Sequence, residues 1–267
     1  MKIGIYAIML LLAVSCTQGE KTGEEIKPVE AKTVSEKPET KSVKVLDETN
    51  SRNDLEILLP SQYRDWEGEN QVAILTKNWI DLYEKKGKYY LGKADFTLSR
   101  GYSECSGDST TIVDSKNKTL LFINDPDLVS GEINVIRGIK KKIWPGEKVT
   151  FHFNGTDYVL RAEGDVLSSE QVHTDGGQEV FHEVENYKLY FSADKTSESL
   201  LVTIESFNDT FVEILFAGDL DRDGKPDFII GGNRDYEEER VLLFLSSKSK
   251  KGHVIRKAGE VAIQFDC

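Results

Sequence analysis

The sequence predicts a mainly β protein: an antiparallel β-sandwich or irregular barrel, in one or two lobes, with a disordered N-terminal tether. Three observations support this prediction. Short runs alternate between apolar and polar residues, turn residues separate the runs, and no stretch keeps a helical period of apolar residues. A period of two places the apolar side chains on one face of a strand, so runs joined by tight turns form antiparallel sheets.

The chain begins with a secretory signal, predicted to span residues 1–15. Lys2 precedes an apolar run from Ile3 to Val14, which is too short to span a bilayer as a mature helix. The stretch "AVSC" ends at Cys16 and resembles the lipobox of bacterial lipoproteins. This resemblance implies cleavage before Cys16, a diacylglycerol on its sulfur and a fatty acyl group such as palmitate on its amino group. An ordinary signal peptide with an incidental cysteine is the alternative.

The lipobox resemblance also implies a compartment. Two or three acyl chains hold a protein firmly on a membrane, because each buried methylene contributes about 0.8 kcal/mol and one chain binds only marginally. Thr17 follows the cysteine, whereas an Asp at this position retains lipoproteins on the inner membrane in enterobacteria. The resemblance therefore implies a lipid-anchored protein of the bacterial outer membrane, in the periplasmic or the surface-facing leaflet.

The segment after the signal, residues 16–53, is predicted to be the lipidated cysteine and a disordered tether. It contains no aromatic residue, and Leu46 is its only leucine. Such a segment cannot bury enough apolar surface to offset the entropy lost on ordering. As a random coil of about 37 residues it would extend roughly 30 to 35 Å and hold the folded part away from the membrane.

The mature chain is strongly acidic. Cleavage of the signal removes Lys2, so 34 basic side chains become 33 against 46 acidic ones, which gives a net charge of −13. Phosphate backbones are bound by clusters of Lys and Arg, so nucleic acid is not expected as a partner. The expected partners are the membrane, through the lipid anchor, and a protein or glycan ligand.

The remaining residues are predicted to form an N-terminal β lobe, 54–170, and a C-terminal β lobe, 171–267. Four hairpins are predicted: "NWIDLYEKKGKYYLGKADFTLS", "KVTFHFNGTDYVLRAEG", "NYKLYFSADKTSESLLVTIES" and "VEILFAGDLDRDGKPDFIIGG". The second has the strongest turn signal, Asn154-Gly155, because both residues tolerate the positive φ of a tight hairpin turn. A short helix between Asp54 and Tyr63 is also compatible with the pattern.

The stretch "DLDRDGKPD", residues 219–227, concentrates four carboxylates within nine positions. Like charges so close repel each other unless a cation binds them. Oxygen ligands at loop positions one, three, five and nine, a glycine at six and a carbonyl at seven can wrap one ion, and ligation by oxygen alone favours calcium. The predicted calcium ligands are Asp219, Asp221, Asp223, Asp227 and the carbonyl of Lys225.

The loop departs from an EF-hand, because Ile230 stands at position twelve and "FIIGG" is typical of a strand. A strand, a DxDxDGxxD loop and a second strand resemble the calcium loops of FG-GAP and VCBS-type repeats. That family builds propellers from several repeats, and no second DxDxDG occurs here. The prediction is therefore a single calcium-braced hairpin with a structural role. An acidic, solvated turn without metal is the alternative.

Two cysteines remain if Cys16 is lipidated. Cys105 and Cys267 are an even pair in an oxidising compartment, which predicts a disulfide between them. Two separate thiols are the alternative. Neither cysteine has a nearby His or Lys in sequence to stabilise a thiolate, so a catalytic role is less favoured.

No catalytic motif is present, neither G-x-S-x-G, H-E-x-x-H nor a glycine-rich phosphate loop. His173 and His182, with Asp175 and Glu183 nearby, outline an alternative zinc or acid–base site. His152 is expected to face solvent on a hairpin. Three aromatic residues, Tyr89, Tyr90 and Trp144, form either a ligand-binding face or part of the core, and packing is the commoner fate of strand aromatics.

Two classes of function fit these observations. The favoured one is a non-enzymatic envelope lipoprotein, a calcium-braced β module that serves binding, adhesion or envelope maintenance. The rival is a secreted hydrolase with its site near His173 and His182.

Replacing the predicted lipidated residue tests the anchor. Cys16→Ser is expected to release the protein from the membrane fraction and to abolish metabolic labelling with palmitate, because the serine hydroxyl cannot carry the thioether lipid. Fractionation and labelling measure the two effects. A variant that stays in the membrane fraction with unchanged labelling would contradict the lipobox prediction.

Overall fold

The computed structural model describes residues 54–65, 70–174, 177–194, 196–250 and 252–265. The predicted signal, the tether and Cys16 lie outside these residues. Within them the chain forms seventeen β-strands and one short 3-10 helix. The mainly β, antiparallel fold is confirmed, and none of its sheets closes into a barrel. No helix of the described part is long and apolar enough to cross a membrane.

The strands follow each other along the whole described chain, and most are short. The elements are β1 Ile57–Leu58, β2 Gln62–Arg64, the 3-10 helix Gln71–Ile74, β3 Ile80–Lys85, β4 Lys88–Lys93, β5 Phe96–Tyr102, β6 Ser109–Ser115, β7 Lys118–Ile123, β8 Gly131–Glu132, β9 Asn134–Val135, β10 Lys148–Phe153, β11 Thr156–Thr174, β12 Gly177–Ala193, β13 Ser199–Ser206, β14 Glu213–Asp219, β15 Asp227–Gly231, β16 Glu238–Leu245 and β17 Arg256–Gln264.

The strands pair into four sheets. The first sheet has the order β1-β7-β3-β4-β8, and a small sheet has the order β2-β6-β5. The long-hairpin sheet has the order β10-β11-β12-β13, and the central sheet has the order β17-β16-β15-β14-β9. Every pair of neighbouring strands is antiparallel. An isolated parallel bridge joins Leu55 to Gly259, so the start of the described chain lies against its last strand.

The central sheet is covered on both faces. Successive residues of a strand point to opposite faces, and here both faces are apolar. Ile229 and Leu243 belong to a first hydrophobic core, shared with the first sheet, whereas Phe228 and Phe244 belong to a second core, shared with the long-hairpin sheet. All four side chains are completely buried. Such two-sided burial explains the unbroken apolar runs of β15 and β16.

The four predicted hairpins are confirmed by the strand pairing: β3 with β4, β10 with β11, β12 with β13, and β14 with β15. The turn at Asn154 and Gly155 has φ values of 47° and 85°. Two positive φ values twist the turn in the sense that the flanking strands need.

The helix predicted between Asp54 and Tyr63 is wrong. This segment contains β1 and β2, and both residues of β1, Ile57 and Leu58, are buried. Pairing with β7 holds the segment extended, and both apolar residues of β1 belong to the first core. The boundary predicted between residues 170 and 171 falls inside β11, and the division into two lobes stays a prediction.

Truncating adjacent residues of β16 tests the two-sided burial. Leu243→Ala and Phe244→Ala are each expected to lower the free energy of unfolding by about 2 to 5 kcal/mol, because each leaves a cavity in a different core. Leu98→Ala is the control, since the Leu98 side chain is 49% exposed. Chemical denaturation measures all three. A small loss in either core variant would contradict the burial of that face.

Candidate metal centre

The aspartate loop connects the two middle strands of the central sheet. β14 ends at Asp219 and β15 begins at Asp227, next to Gly218 in the strand register. The pairing therefore brings the first and last aspartates of the loop to the same end of a sheet that is buried on both faces. Asp219 and Asp227 are buried, Asp221 is half-buried and Asp223 is exposed.

The turn of the loop depends on one glycine. Gly224 has φ +85°, the positive value predicted from the loop pattern. A Cβ atom placed on it would meet no heavy atom within 4 Å, so the requirement for glycine is conformational and not steric. The Gly224 N–H donates to Asp219 Oδ2 at 3.2 Å, which closes the turn onto the first aspartate.

Asp227 organises the buried end of the loop. Its Oδ2 accepts hydrogen bonds from the N–H groups of Leu220 at 2.7 Å and Asp221 at 3.4 Å. Its Oδ1 accepts from the N–H of Ser246 at 2.8 Å and from the Ser246 hydroxyl at 3.0 Å. One carboxylate thus satisfies three backbone donors, two of them buried, at the point where β14 and β16 end and β15 begins.

Asp219 has an unsatisfied oxygen. Its Oδ1 atom is buried and has no hydrogen-bond partner, although a buried carboxylate oxygen without one is costly. Asp219, Asp221 and Asp227 each offer an oxygen, and these oxygens lie within 4.8 Å of one another. The residue with the unpartnered oxygen therefore belongs to a group of three carboxylates that can share one cation.

The three carboxylates lack a basic partner. No salt bridge joins Asp219, Asp221 or Asp227 to a Lys or Arg in the described part of the chain. Burial, together with the charges of Asp221 and Asp223, raises the pKa of Asp219. Burial and the charge of Asp221 raise the pKa of Asp227 well above its usual value. Both shifts mean that the ionised cluster is destabilised without a compensating positive charge.

Asp223 is not among the three aspartates whose oxygens lie close together. Its Oδ1 accepts a hydrogen bond from the Lys225 N–H at 2.8 Å, which stabilises the turn, and it shares the single hydroxyl hydrogen of Ser246, at 2.9 Å, with Asp227 Oδ1. The Lys225 ammonium lies 3.3 Å from Asp223 Oδ2. A ligand role for Asp223 and for the Lys225 carbonyl stays a prediction.

The loop contacts three other segments of the fold. Asn154, in the β10–β11 turn, donates to the Gly224 carbonyl at 2.9 Å. Arg222 donates to the Ser130 carbonyl at 3.1 Å, just before β8. The Ser247 hydroxyl donates to Asp221 Oδ2. Ser246 and Ser247 were not recognisable from the sequence, because only the pairing of β15 with β16 brings them beside the loop.

The histidines of the alternative site do not converge. His182 pairs with Ser169 across the β11–β12 hairpin, and His173 pairs with Gln178. His173 is therefore four residues along the strand from the partner of His182, a separation of about 13 Å. His182 Nδ1 lies 2.6 Å from the Ser169 hydroxyl, and Asp175 lies outside the described residues. His152 is exposed, as predicted.

A cleft of about 610 Å³ lies beside His182. Glu147 and Glu213 line it, but they form ion pairs with Lys140 and Lys142. Across the described chain, the one group of three or more metal-binding side chains is the aspartate triad, and no histidine belongs to it.

The aromatic residues proposed as a binding face lie in different places. Trp144 is buried, with its ring stacked 4.0 Å from Phe211. Tyr89 packs against Phe216 of the first core at 5.2 Å. Tyr90 stacks on Tyr83 on the first sheet. Packing therefore accounts for all three side chains.

The cysteine pair is only partly described. Cys105 is exposed in the turn after β5 and is not a free thiol. Cys267 lies outside the described residues, so the bridge between the two stays a prediction.

Comparisons with family models, with curated proteins and with solved structures found no match to this chain. The resemblance of the loop to FG-GAP and VCBS-type repeats therefore stays a prediction from the nine residues of the motif. The chemistry of the site rests on the geometry described above.

Substitution of Gly224 tests the backbone requirement. Gly224→Ala is expected to lower the free energy of unfolding by about 1 to 2 kcal/mol, in calcium and in chelator alike, because φ is positive. Gly224→Asn is the matched control and is expected to cost less, since Asn tolerates this region better. Equal stability of the Ala variant and the wild type would show that the turn adopts another conformation.

Proposed function

We propose that this chain is a lipid-anchored module of the bacterial outer membrane. A structural calcium ion braces its central sheet, and the module binds its ligands without transforming them. The observation that carries the calcium proposal is that Asp219, whose buried Oδ1 has no partner, offers a carboxylate oxygen within 4.8 Å of oxygens of Asp221 and Asp227. Carboxylate oxygens are the ligands that calcium prefers.

The electrostatics of the loop support a cation at this position. Two buried carboxylates at the end of one sheet carry raised pKa values, and the described residues place no basic side chain on the triad. A divalent cation would supply the missing positive charge and a partner for Asp219 Oδ1. Its binding would then lower the pKa of both aspartates and hold them ionised.

Calcium would stabilise more than the loop itself. Asn154, Ser130 and Ser246 belong to three different segments, and each contacts the loop through a hydrogen bond. Fixing the loop therefore also fixes the β10–β11 turn, the segment before β8 and the end of β16. This is the role of a brace that holds layers of a β fold together.

The anchor and the tether complete the proposal. The lipobox resemblance at Cys16 supports attachment to the outer membrane, and the composition of residues 17–53 supports a flexible spacer. A β module held off a membrane in this way suits adhesion, capture of a protein or glycan ligand, or envelope maintenance. His173 and His182, the histidines of the alternative hydrolase site, lie far apart along the β11–β12 hairpin and do not converge on one point. No observation favours the hydrolase function.

Calcium addition tests the brace. With a dissociation constant of about 0.1 mM and calcium at about 1 mM, binding to the native state contributes about 1.4 kcal/mol. The melting temperature is therefore expected to rise by about 3 to 6 °C. Differential scanning fluorimetry in calcium and in chelator measures the rise, and isothermal titration calorimetry measures the affinity.

Matched variants locate the effect. Asp219→Asn and Asp221→Asn are expected to erase the calcium-dependent rise, whereas Asp114→Asn, an exposed carboxylate on β6, is expected to keep it. In chelator Asp219→Asn is expected to be at least as stable as the wild type, because it removes repulsion within the cluster. A wild type that melts identically with calcium and with chelator would refute the brace.

A further inference from the structure

The hairpin of β11 and β12 extends beyond the sheet to which it belongs. β10 pairs with β11 only as far as Arg161, and β13 pairs with β12 only from Glu185 onwards. Between these points the two strands pair with each other alone, up to Thr174 and Gly177. We call residues 165–174 and 177–183 the ribbon. A two-stranded ribbon without further cover is marginally stable in water.

The outer edge of β11 in the ribbon is open. Residues 165–171 and 173 are all exposed, and no backbone hydrogen bond joins this stretch to another described segment except β12. The outer edge of β12 differs, because Glu179 and Val180 line the cleft that also contains Lys141 and Trp144. The accessible row of unpaired backbone groups therefore lies on β11.

The ribbon exposes three large apolar side chains. Val166, Leu167 and Val180 keep 46%, 52% and 46% of their surface exposed. An open strand edge beside exposed apolar side chains is a template for a further strand.

The charge of the ribbon is of one sign. The ribbon contains four acidic side chains and no Lys or Arg. Every second cross-strand pair of the hairpin lies on the same face, because side chains two residues apart on a strand point the same way. One face therefore contains the pairs Ser168–Glu183, Glu170–Phe181 and Val172–Glu179. That face carries three carboxylates, interspersed with the apolar side chains of Val172 and Phe181.

We propose that the outer edge of β11 in the ribbon docks an extended basic polypeptide segment of a partner protein, which adds as a further strand. Its backbone would pair with residues 165–173. Alternating Lys or Arg side chains would lie beside the carboxylates of the acidic face, and apolar side chains would lie beside Val172. Opposite charges on neighbouring strands stabilise such a pair, whereas like charges destabilise it.

Charge complementarity also decides against a second copy of this chain as the occupant. Two ribbons side by side would bring eight acidic side chains together, twice the four that each contains, without one Lys or Arg. Acidic side chains on an open edge are a known protection against self-pairing. A basic strand meets no such barrier and is drawn to the ribbon by its field.

Two synthetic octapeptides test the proposal on the full folded chain. One alternates lysine with valine, and the other alternates lysine with proline, which has the same charge but cannot donate the backbone hydrogen bonds of a strand. The lysine–valine peptide is expected to bind in fluorescence anisotropy and to protect amides of residues 165–174 in hydrogen exchange. The lysine–proline peptide is expected to bind more weakly and to protect none.

Variants of the protein test whether the carboxylates of the acidic face attract the peptide. Glu170→Gln, Glu179→Gln and Glu183→Gln combined are expected to weaken binding of the lysine–valine peptide about tenfold. The matched control combines Glu104→Gln, Asp114→Asn and Glu205→Gln, exposed carboxylates outside the ribbon, and is expected to bind as the wild type does. Binding is expected in calcium and in chelator, so its failure would leave the calcium brace untouched.

Two results would overturn the proposal. Equal affinity for both peptides, with no protection of β11, would mean attraction by charge without strand addition. Concentration-dependent dimerisation, lost when an Asn-Gly turn replaces residues 167–183, would make a second copy the occupant. The replacement joins Val166 to Val184, which are already paired, so the body of the sheet keeps its register.

Discussion

The two-sided burial of the central sheet is the constraint on which the rest of the structure depends. In a sheet covered on both faces, each buried polar backbone group at the strand ends needs a partner from the protein. Asp227 is completely buried, and its carboxylate accepts hydrogen bonds from the N–H groups of Leu220, Asp221 and Ser246. The same carboxylate adds a negative charge to an apolar layer, and a bound cation would offset that charge.

The geometry of the candidate metal site therefore follows from the strand order of the central sheet. The loop is short because β14 and β15 are adjacent, and the register that pairs Gly218 with Asp227 brings Asp219 and Asp227 to the same end of the sheet. Asp219 is the last residue of β14 and Asp227 is the first residue of β15. The hydrogen bonds of Asp227 fix the backbone just after β14 and just after β16.

Local sequence predicted much of this arrangement. A period of two with Asn154-Gly155 or Lys86-Gly87 at the turn identifies hairpins, since few residues allow two consecutive positive φ values. The aspartate spacing with Gly224 identified the loop in the same way. Both are short-range signals, in which the residues that meet are also close in sequence.

The features that the sequence did not predict depend on long-range pairing. Ser246 reaches the loop only because β16 pairs with β15. The segment from Asp54 to Tyr63 follows its pairing with β7 and β6, although its local pattern allowed a helix. Trp144 is buried because Phe211 and Phe181 cover it from distant strands. A single sequence contains no direct signal of such contacts.

The bridge between Leu55 and Gly259 has a consequence for the kinetics of folding. The Leu55 N–H donates to the Ala258 carbonyl at 2.6 Å, and Arg256 lies 3.3 Å from Asp54. The first core is thus closed by segments from opposite ends of the folded part. Folds in which contacts join segments distant in sequence fold slowly, typically in milliseconds to seconds. A nascent chain cannot complete this core before β17 emerges, so secretion in an unfolded state is compatible with its topology.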